Sequence, residues 1–399
     1  MTQATESAAL RAPSDTRTIA VVSAAHFVSH FYIIILPPLF LFVRAEYGVS
    51  YTELGLALTV FNIVTALLQT PAGFLVDRFG ARIILIGGLL CGVAALTIAG
   101  LINSFWIFVA MFGLLGLGNT TYHPANYAIL SQQISPARTA KAFSIHTFAG
   151  VLGAAAAPAS LLMMQNVWGW RGAFLGAAAL GLVTALLLAM QREETPTHTT
   201  RPHGDTATPE GWKLLLSAPI LLNMALFALL ALVSGGLQNY SVVALGALYG
   251  TPPSIGNIAL SAYLLLTAAG VLIGGTVASR TARHSLVAVV GLVALGIVGA
   301  AIAARDLGAI LLIGAMSLGG FFNGLIMPSR DLIVREVTPP GSFGKVFGFV
   351  TSGFNVAGIV APLIFGAVMD AGSPHLVFVL VAVFSVVAIL TVIGTQRRG

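Results

Sequence analysis

The stretch that decides the fold runs from Gly116 to Pro158, GLGNTTYHPANYAILSQQISPARTAKAFSIHTFAGVLGAAAAP. It comes back 204 residues later, from Gly320 to Pro362, as GGFFNGLIMPSRDLIVREVTPPGSFGKVFGFVTSGFNVAGIVAP. Asn119 matches Asn323, Pro124 matches Pro328, Pro136 matches Pro340, Lys141 matches Lys345, Phe143 matches Phe347 and Pro158 matches Pro362. Chance seldom keeps one offset over so long a stretch, so the chain reads as two copies of one unit. Tyr47-Gly48 and Tyr249-Gly250 extend the match at an offset of 202, as do Gly73 and Gly275, while Phe174 and Phe378 keep 204.

Composition says what surrounds the repeat. Of 399 residues, 57% are hydrophobic and 8% charged, against about 25% charged in soluble domains. So few charges cannot cover a globular surface, and lipid is the expected solvent. The 44 glycines fit helices that pack closely in a membrane. A net charge of +6 would suggest nucleic acid in a soluble protein; here a cationic inner face explains it, and no nucleic-acid partner is expected. A single cysteine, Cys91, excludes a disulfide framework and a paired-cysteine metal site within the chain.

A helix needs roughly 20 apolar residues to cross a bilayer. Twelve runs qualify: 18–43, 52–76, 82–101, 105–131, 140–165 and 170–190, then 216–247, 254–279, 285–304, 307–334, 343–369 and 374–395. The expected fold is an all-α membrane protein with twelve transmembrane helices, in two six-helix bundles related by pseudo-two-fold symmetry about the membrane normal. The expected division is a polar tail over 1–17, bundles over 18–190 and 214–395, a Thr- and Pro-rich linker over 191–213, and a tail over 396–399. Of the 19 Lys and Arg, only Arg44, Arg171 and Arg305 fall on the side opposite the termini, and Arg330 falls inside a run. The bias places both termini in the cytoplasm of a bacterial-type inner membrane protein.

After the second run comes Gly73-Phe-Leu-Val-Asp77-Arg78-Phe-Gly80-Ala-Arg82. Gly73 would let helices approach and Gly80 would permit a tight turn. Asp77 beside Arg78 and Arg82 makes a compact charged latch, able to accept from the N–H groups of a neighbouring helix. The second half keeps a reduced version, Gly275, Ser279, Arg280 and Arg283. The plain alternative is a cationic loop with one acid.

These features resemble the major facilitator superfamily over the whole chain past its first residues. The Gly73–Arg82 loop resembles that family's signature between the second and third helices. Trp170-Arg171-Gly-Ala-Phe174 resembles the usual opening of the sixth. His123-Pro124 and the first-run stretch AAHFVSHFYIIILPPLF resemble the fosmidomycin-resistance-like branch. Two departures stand out. Ala157-Pro158 and Ala361-Pro362 stand where antiporter branches carry Gly-Pro, and the fourth-helix Arg of drug antiporters is absent around Gly113–Gly118. The resemblance implies a monomeric secondary transporter in lipid, alternating access between two bundles and often proton-coupled. It also implies a central site lined by the first, fourth, seventh and tenth spans.

Those spans hold the polar outliers. His26 and His30 share a face of the first span, and Asn119, His123 and Asn126 share one of the fourth. The tenth carries Asn323, Met327 and Arg330, and the seventh offers Ser234, Gln238 and Asn239. Where the halves diverge, a position can serve a substrate: His123 against Met327, Asn126 against Arg330, Tyr127 against Asp331. His30, Asn119, His123, Asn126, Gln238, Asn323 and Arg330 are therefore the expected substrate-binding residues. His26, His30, His123 and Asp331 are the expected proton-coupling ones. His suits that role because its ordinary pKa is about 6.5. Each has an alternative. His26 or His146 could simply bond a backbone carbonyl, and Arg330 could snorkel to the surface. Asp331 is expected to need a partner on another helix or a proton, since adjacent helical residues point about 100° apart.

No ATP-binding motif, catalytic constellation, cofactor or metal site is read. Gly341-Ser-Phe-Gly344-Lys345 lacks the first Gly and the Ser/Thr of a P-loop, and His198 and His203 read as linker residues. The expected function is proton-coupled export of a small polar or anionic organic compound. Proton-coupled uptake of an organic acid is the alternative, and a non-transporting membrane sensor is the rival from another class.

Overall fold

The computed structural model describes residues 2–191, 211–339 and 343–396. Most of the linker and the last three residues lie outside the described residues, as do Gly341, Ser342 and the Lys345 side chain of the P-loop-like segment. Among the described residues the structure is helical: α1 (Thr2–Ile33), a 3-10 turn (Pro37–Leu39), α2 (Phe40–Tyr47), α3 (Tyr51–Phe79), α4 (Ala81–Leu101), α5 (Phe105–Gln133) and α6 (Pro136–Ala189). There follow α7 (Gly211–Leu215), α8 (Ala218–Gly235), a π turn (Gly236–Tyr240), α9 (Ser241–Tyr249), α10 (Pro253–Arg280), α11 (His284–Ala304), α12 (Gly308–Glu336), α13 (Phe343–Asp370) and α14 (His375–Gln396).

Twelve spans emerge from three observations. Among the described residues, ten helices are long and apolar enough to cross a membrane, and the bent pair Asp15–Ile33 and Pro37–Tyr47 makes an eleventh. The twelfth lies within α6, whose 54 residues would reach about 80 Å, against roughly 30 Å of hydrocarbon. It breaks at Gly169, where φ is 71° and ψ 171°, a conformation that L side chains rarely adopt.

The repeat carries backbone detail. The first span is interrupted before Pro37-Pro38, which disfavour helix in the residue ahead and lack N–H donors. The seventh is interrupted by the π turn Gly236–Tyr240 at the matching place. Both then end alike, with Gly48 at φ 66°, ψ 24° and Gly250 at φ 66°, ψ 20°. Left-handed glycines terminate helices this way, which gives the repeated Tyr-Gly pair its physical reason.

The chain forms two compact units. The first comprises Met1–Ile35, Ile63–Ala157 and Met163–Gly204; the second comprises Leu36–Asn62, Pro158–Leu162 and Asp205–Gly399. In the first unit α4 crosses α5 at two glycines: a Cβ on Gly118 would lie 2.6 Å from the Gly88 carbonyl oxygen. In the second, α10 crosses α12 at Gly270, Gly274, Gly320 and Gly324, where any Cβ would strike the facing backbone. Such contacts drive association where lipid offers no hydrophobic force between helices.

Candidate functional site

In the first unit four imidazoles meet. His26 and His30, one turn apart on α1, face His123 of α5 and His146 of α6. The His26 ring lies 4.6 Å from that of His30, 5.4 Å from His123 and 3.8 Å from His146, the last stacked within 10° of parallel. His26 Nδ1 sits 2.7 Å from the His146 carbonyl oxygen, the backbone bond expected as the plain alternative for His26. His146 itself, 0% exposed, bonds through neither ring nitrogen. Gly150, one turn along α6, makes the room: a Cβ there would lie 2.6 Å from His26 Cε1 and 3.1 Å from His30 Cδ2.

On α1 and α5 several polar atoms are buried without partners among the described residues: His26 Nε2 and His123 Nδ1 in the cluster, and both Asn126 amide atoms one turn beyond His123. An unsatisfied buried group costs about 1–3 kcal/mol, so each of these atoms calls for a partner from outside the protein chain, a water or a ligand. Asn126 is fully buried, whereas Asn119 is half-buried on the same helix.

In the second unit the centre is Arg330 on α12. The guanidinium carbon lies 4.1 Å from the Phe227 ring centroid and 5.0 Å from that of Phe354. Its Nε donates to Asp331 Oδ1 at 3.0 Å, and Nη2 lies 2.9 Å from the same oxygen as an ion pair. The expectation that Asp331 needs a partner on another helix is corrected here. The long Arg side chain curls back along its helix, so the divergence of adjacent Cβ vectors does not keep the two heads apart. Nor does the side chain reach for the surface: it is 10% exposed, while Asp331 is 49% exposed. The remaining nitrogen, Nη1, has no protein acceptor among the described residues.

Two turns earlier on α12, roughly 10 Å along the helix, Asn323 is buried with its Nδ2 unpartnered, and Ser234 Oγ lies 3.5 Å from its Oδ1. The buried Tyr263 hydroxyl faces Ser234 and Gln238 without meeting hydrogen-bond geometry. Gln238 and Asn239 lie in the π turn, a feature frequent at functional sites.

Of the expected latch, Gly80 takes φ 90° and turns the chain between α3 and α4. Arg82 donates to the carbonyls of Leu188 and Ala189 at 3.2 and 2.7 Å, capping the C-terminal end of α6 where cations are favoured. Arg78 is exposed over Phe79. At Gly73 a Cβ would meet nothing within 4 Å, so close packing does not account for that glycine in this structure. The Asp77 side chain lies outside the described residues.

Sequence reasoning missed three features. Phe227 and Phe354 read as ordinary apolar residues, although Phe354 is the repeat mate of Gly150. Tyr263 sits in an apolar run. Asp370 closes α13 and accepts from Tyr51 N at 2.7 Å and Thr52 N at 2.8 Å, capping α3 from far along the chain. A lone acid at the end of the eleventh run was its available signal.

A sequence profile of the Major Facilitator Superfamily matches residues 22–251 and 228–398. The Fosmidomycin resistance protein of Escherichia coli (strain K12) is 22% identical over 95% of this chain and 93% of its own. The probable sulfoacetate transporter of Cupriavidus necator is 27% identical over 85% of this chain and 84% of its own. Among solved structures, a bacterial homologue of the human lysosomal transporter Spinster superposes with a TM-score of 0.80 at 14% identity, over 97% of this chain and 98% of that one.

Proposed function

Because the chain belongs to the major facilitator superfamily, we propose that it is a secondary transporter for a small organic anion, working by alternating access with protons as the coupled ion. The observation that carries this reading is the arginine on α12. A buried cation costs several kcal/mol unless compensated. Here two rings and one carboxylate oxygen compensate it, and one nitrogen stays uncommitted. A substrate carboxylate, sulfonate or phosphonate would take the planar fork through two parallel bonds. Asn323, Ser234 and Gln238 would supply the neutral contacts.

The same pair supplies a coupling rule. An anion that takes over the guanidinium would displace Asp331, the carboxylate proposed to carry the coupled proton. Protonating Asp331 first frees the guanidinium for the anion. Proton and anion thus favour each other's binding and move in the same direction, so uptake by symport is the better reading. The relative named for sulfoacetate agrees with an anionic substrate. The relative named for fosmidomycin resistance keeps export as the second reading. The loop from Gly73 to Arg82 keeps its proposed role as the conformational latch.

The test is flux in proteoliposomes holding the purified chain, with sulfoacetate and a series of short carboxylates as probes. Acid outside should accelerate anion entry, and a protonophore should remove the acceleration. Entry that ignores the pH gradient would remove protons from the account, and acceleration by acid inside would restore export by exchange.

A further inference from the structure

We infer that His26, His30 and His123 form a binding site for a borderline divalent cation of the Zn2+, Co2+ or Ni2+ kind. One ring nitrogen from each lies within 4.8 Å of the other two. A tetrahedral zinc site with bonds of 2.0–2.1 Å sets its ligand atoms about 3.3 Å apart, so the rings must close in by roughly 1.5 Å. His30 and His123, both half-buried, can do that by side-chain rotation.

The surroundings match what metal-binding imidazoles use. A ligating His commonly donates its second ring N–H to a carbonyl, which fixes the tautomer and aims the other nitrogen. His26 has that arrangement: Nδ1 is 2.7 Å from the His146 carbonyl oxygen, which leaves the lone pair on Nε2, buried and unpartnered. His123 Nδ1 is likewise buried without a partner. The His146 ring stacks on His26, and Gly150 leaves the space in which the α1 rings stand. The ligand type selects the cation. The group contains three imidazoles and no carboxylate, a set suited to zinc, cobalt and nickel and unsuited to Mg2+ or Ca2+, which take oxygen. Three protein ligands leave a fourth position open for water or an anion. The sequence singled out these three histidines but not the mutual approach of their ring nitrogens.

The proposal is independent of the anion reading, since metal binding is measured without transport. The full chain, purified through a tag free of histidine, is equilibrated with Zn2+ alone, desalted and assayed for bound metal; Co2+ alone is used for the visible spectrum. The expected result is one Zn2+ per chain and the absorption of tetrahedral Co2+. His26→Gln, His30→Gln and His123→Gln should each weaken binding by at least the roughly 10–100-fold that losing an outer-shell partner costs. The linker variant His198→Gln/His203→Gln should bind as the parent does. If the parent chain retains no more Zn2+ than the triple Gln variant, the proposal is overturned; that comparison holds even if one single variant folds poorly. It is equally overturned if the linker variant, and not the triple variant, loses the metal.

Discussion

His123 and Met327, Asn126 and Arg330, Tyr127 and Asp331, Gly150 and Phe354 occupy equivalent places in the two halves. In the first unit these places surround imidazole rings, and in the second they surround a guanidinium. The contrast is sharpest at the last pair. Gly150 has no side chain, so imidazoles from α1 can stand against α6. Phe354 puts a ring where its mate leaves space, and Arg330 lies over that ring. At this position the halves differ in the space left beside the imidazoles and the ring placed beneath the guanidinium. Residues shared by both halves, such as Pro124 and Pro328, carry the helical frame. The residues that differ are the ones we propose to carry the chemistry.

The contrast can be broken most severely at Arg330. Arg330→Gln should cost roughly 2–5 kcal/mol of anion binding, while Arg330→Lys, which keeps charge without the fork, should lose less. Arg330→Gln/Asp331→Asn should recover thermal stability, because no charge is left unpaired, without recovering binding. Next comes Gly150→Ala. Its Cβ would press on His26 and His30, and overpacking of this kind costs about 1–3 kcal/mol, read as a lowered Tm with anion affinity unchanged. Phe354→Ala removes one of two rings beneath the guanidinium and should cost about 0.5–2 kcal/mol, read in anion affinity with Zn2+ binding unaffected. If Phe354→Ala altered the histidine cluster, the two sites would not be separate. The smallest effect is expected at Asp370. Losing its cap on α3 through Asp370→Ala should cost about 1 kcal/mol of stability while leaving both ligand measurements alone.

Much of the frame was legible in the sequence because it rests on local rules. The 204-residue offset gave the repeat and apolar run length gave the spans, while the repeated Tyr-Gly pair showed its left-handed caps only in the structure. His26, His30 and Arg330 were visible because polar side chains in apolar runs are conspicuous. What stayed hidden depends on contacts between distant segments. His123 could be grouped with His26 and His30 from the sequence, but the close approach of its ring to theirs is visible only in the structure. Phe354 looks like any apolar residue until a guanidinium is seen over it. The Arg330–Asp331 pair was misjudged because side-chain reach, rather than the direction of Cβ, settled it.

The central claim is that the second unit recognises negative charge through Arg330. Thermal stabilisation of the purified chain tests it most directly, using matched pairs of probes: short carboxylates and sulfonates against their neutral amides. The account predicts that some anions raise the Tm of the parent chain, that their amides do not, and that Arg330→Gln abolishes the response. Equal stabilisation by anion and amide, or a full response in Arg330→Gln, would contradict it.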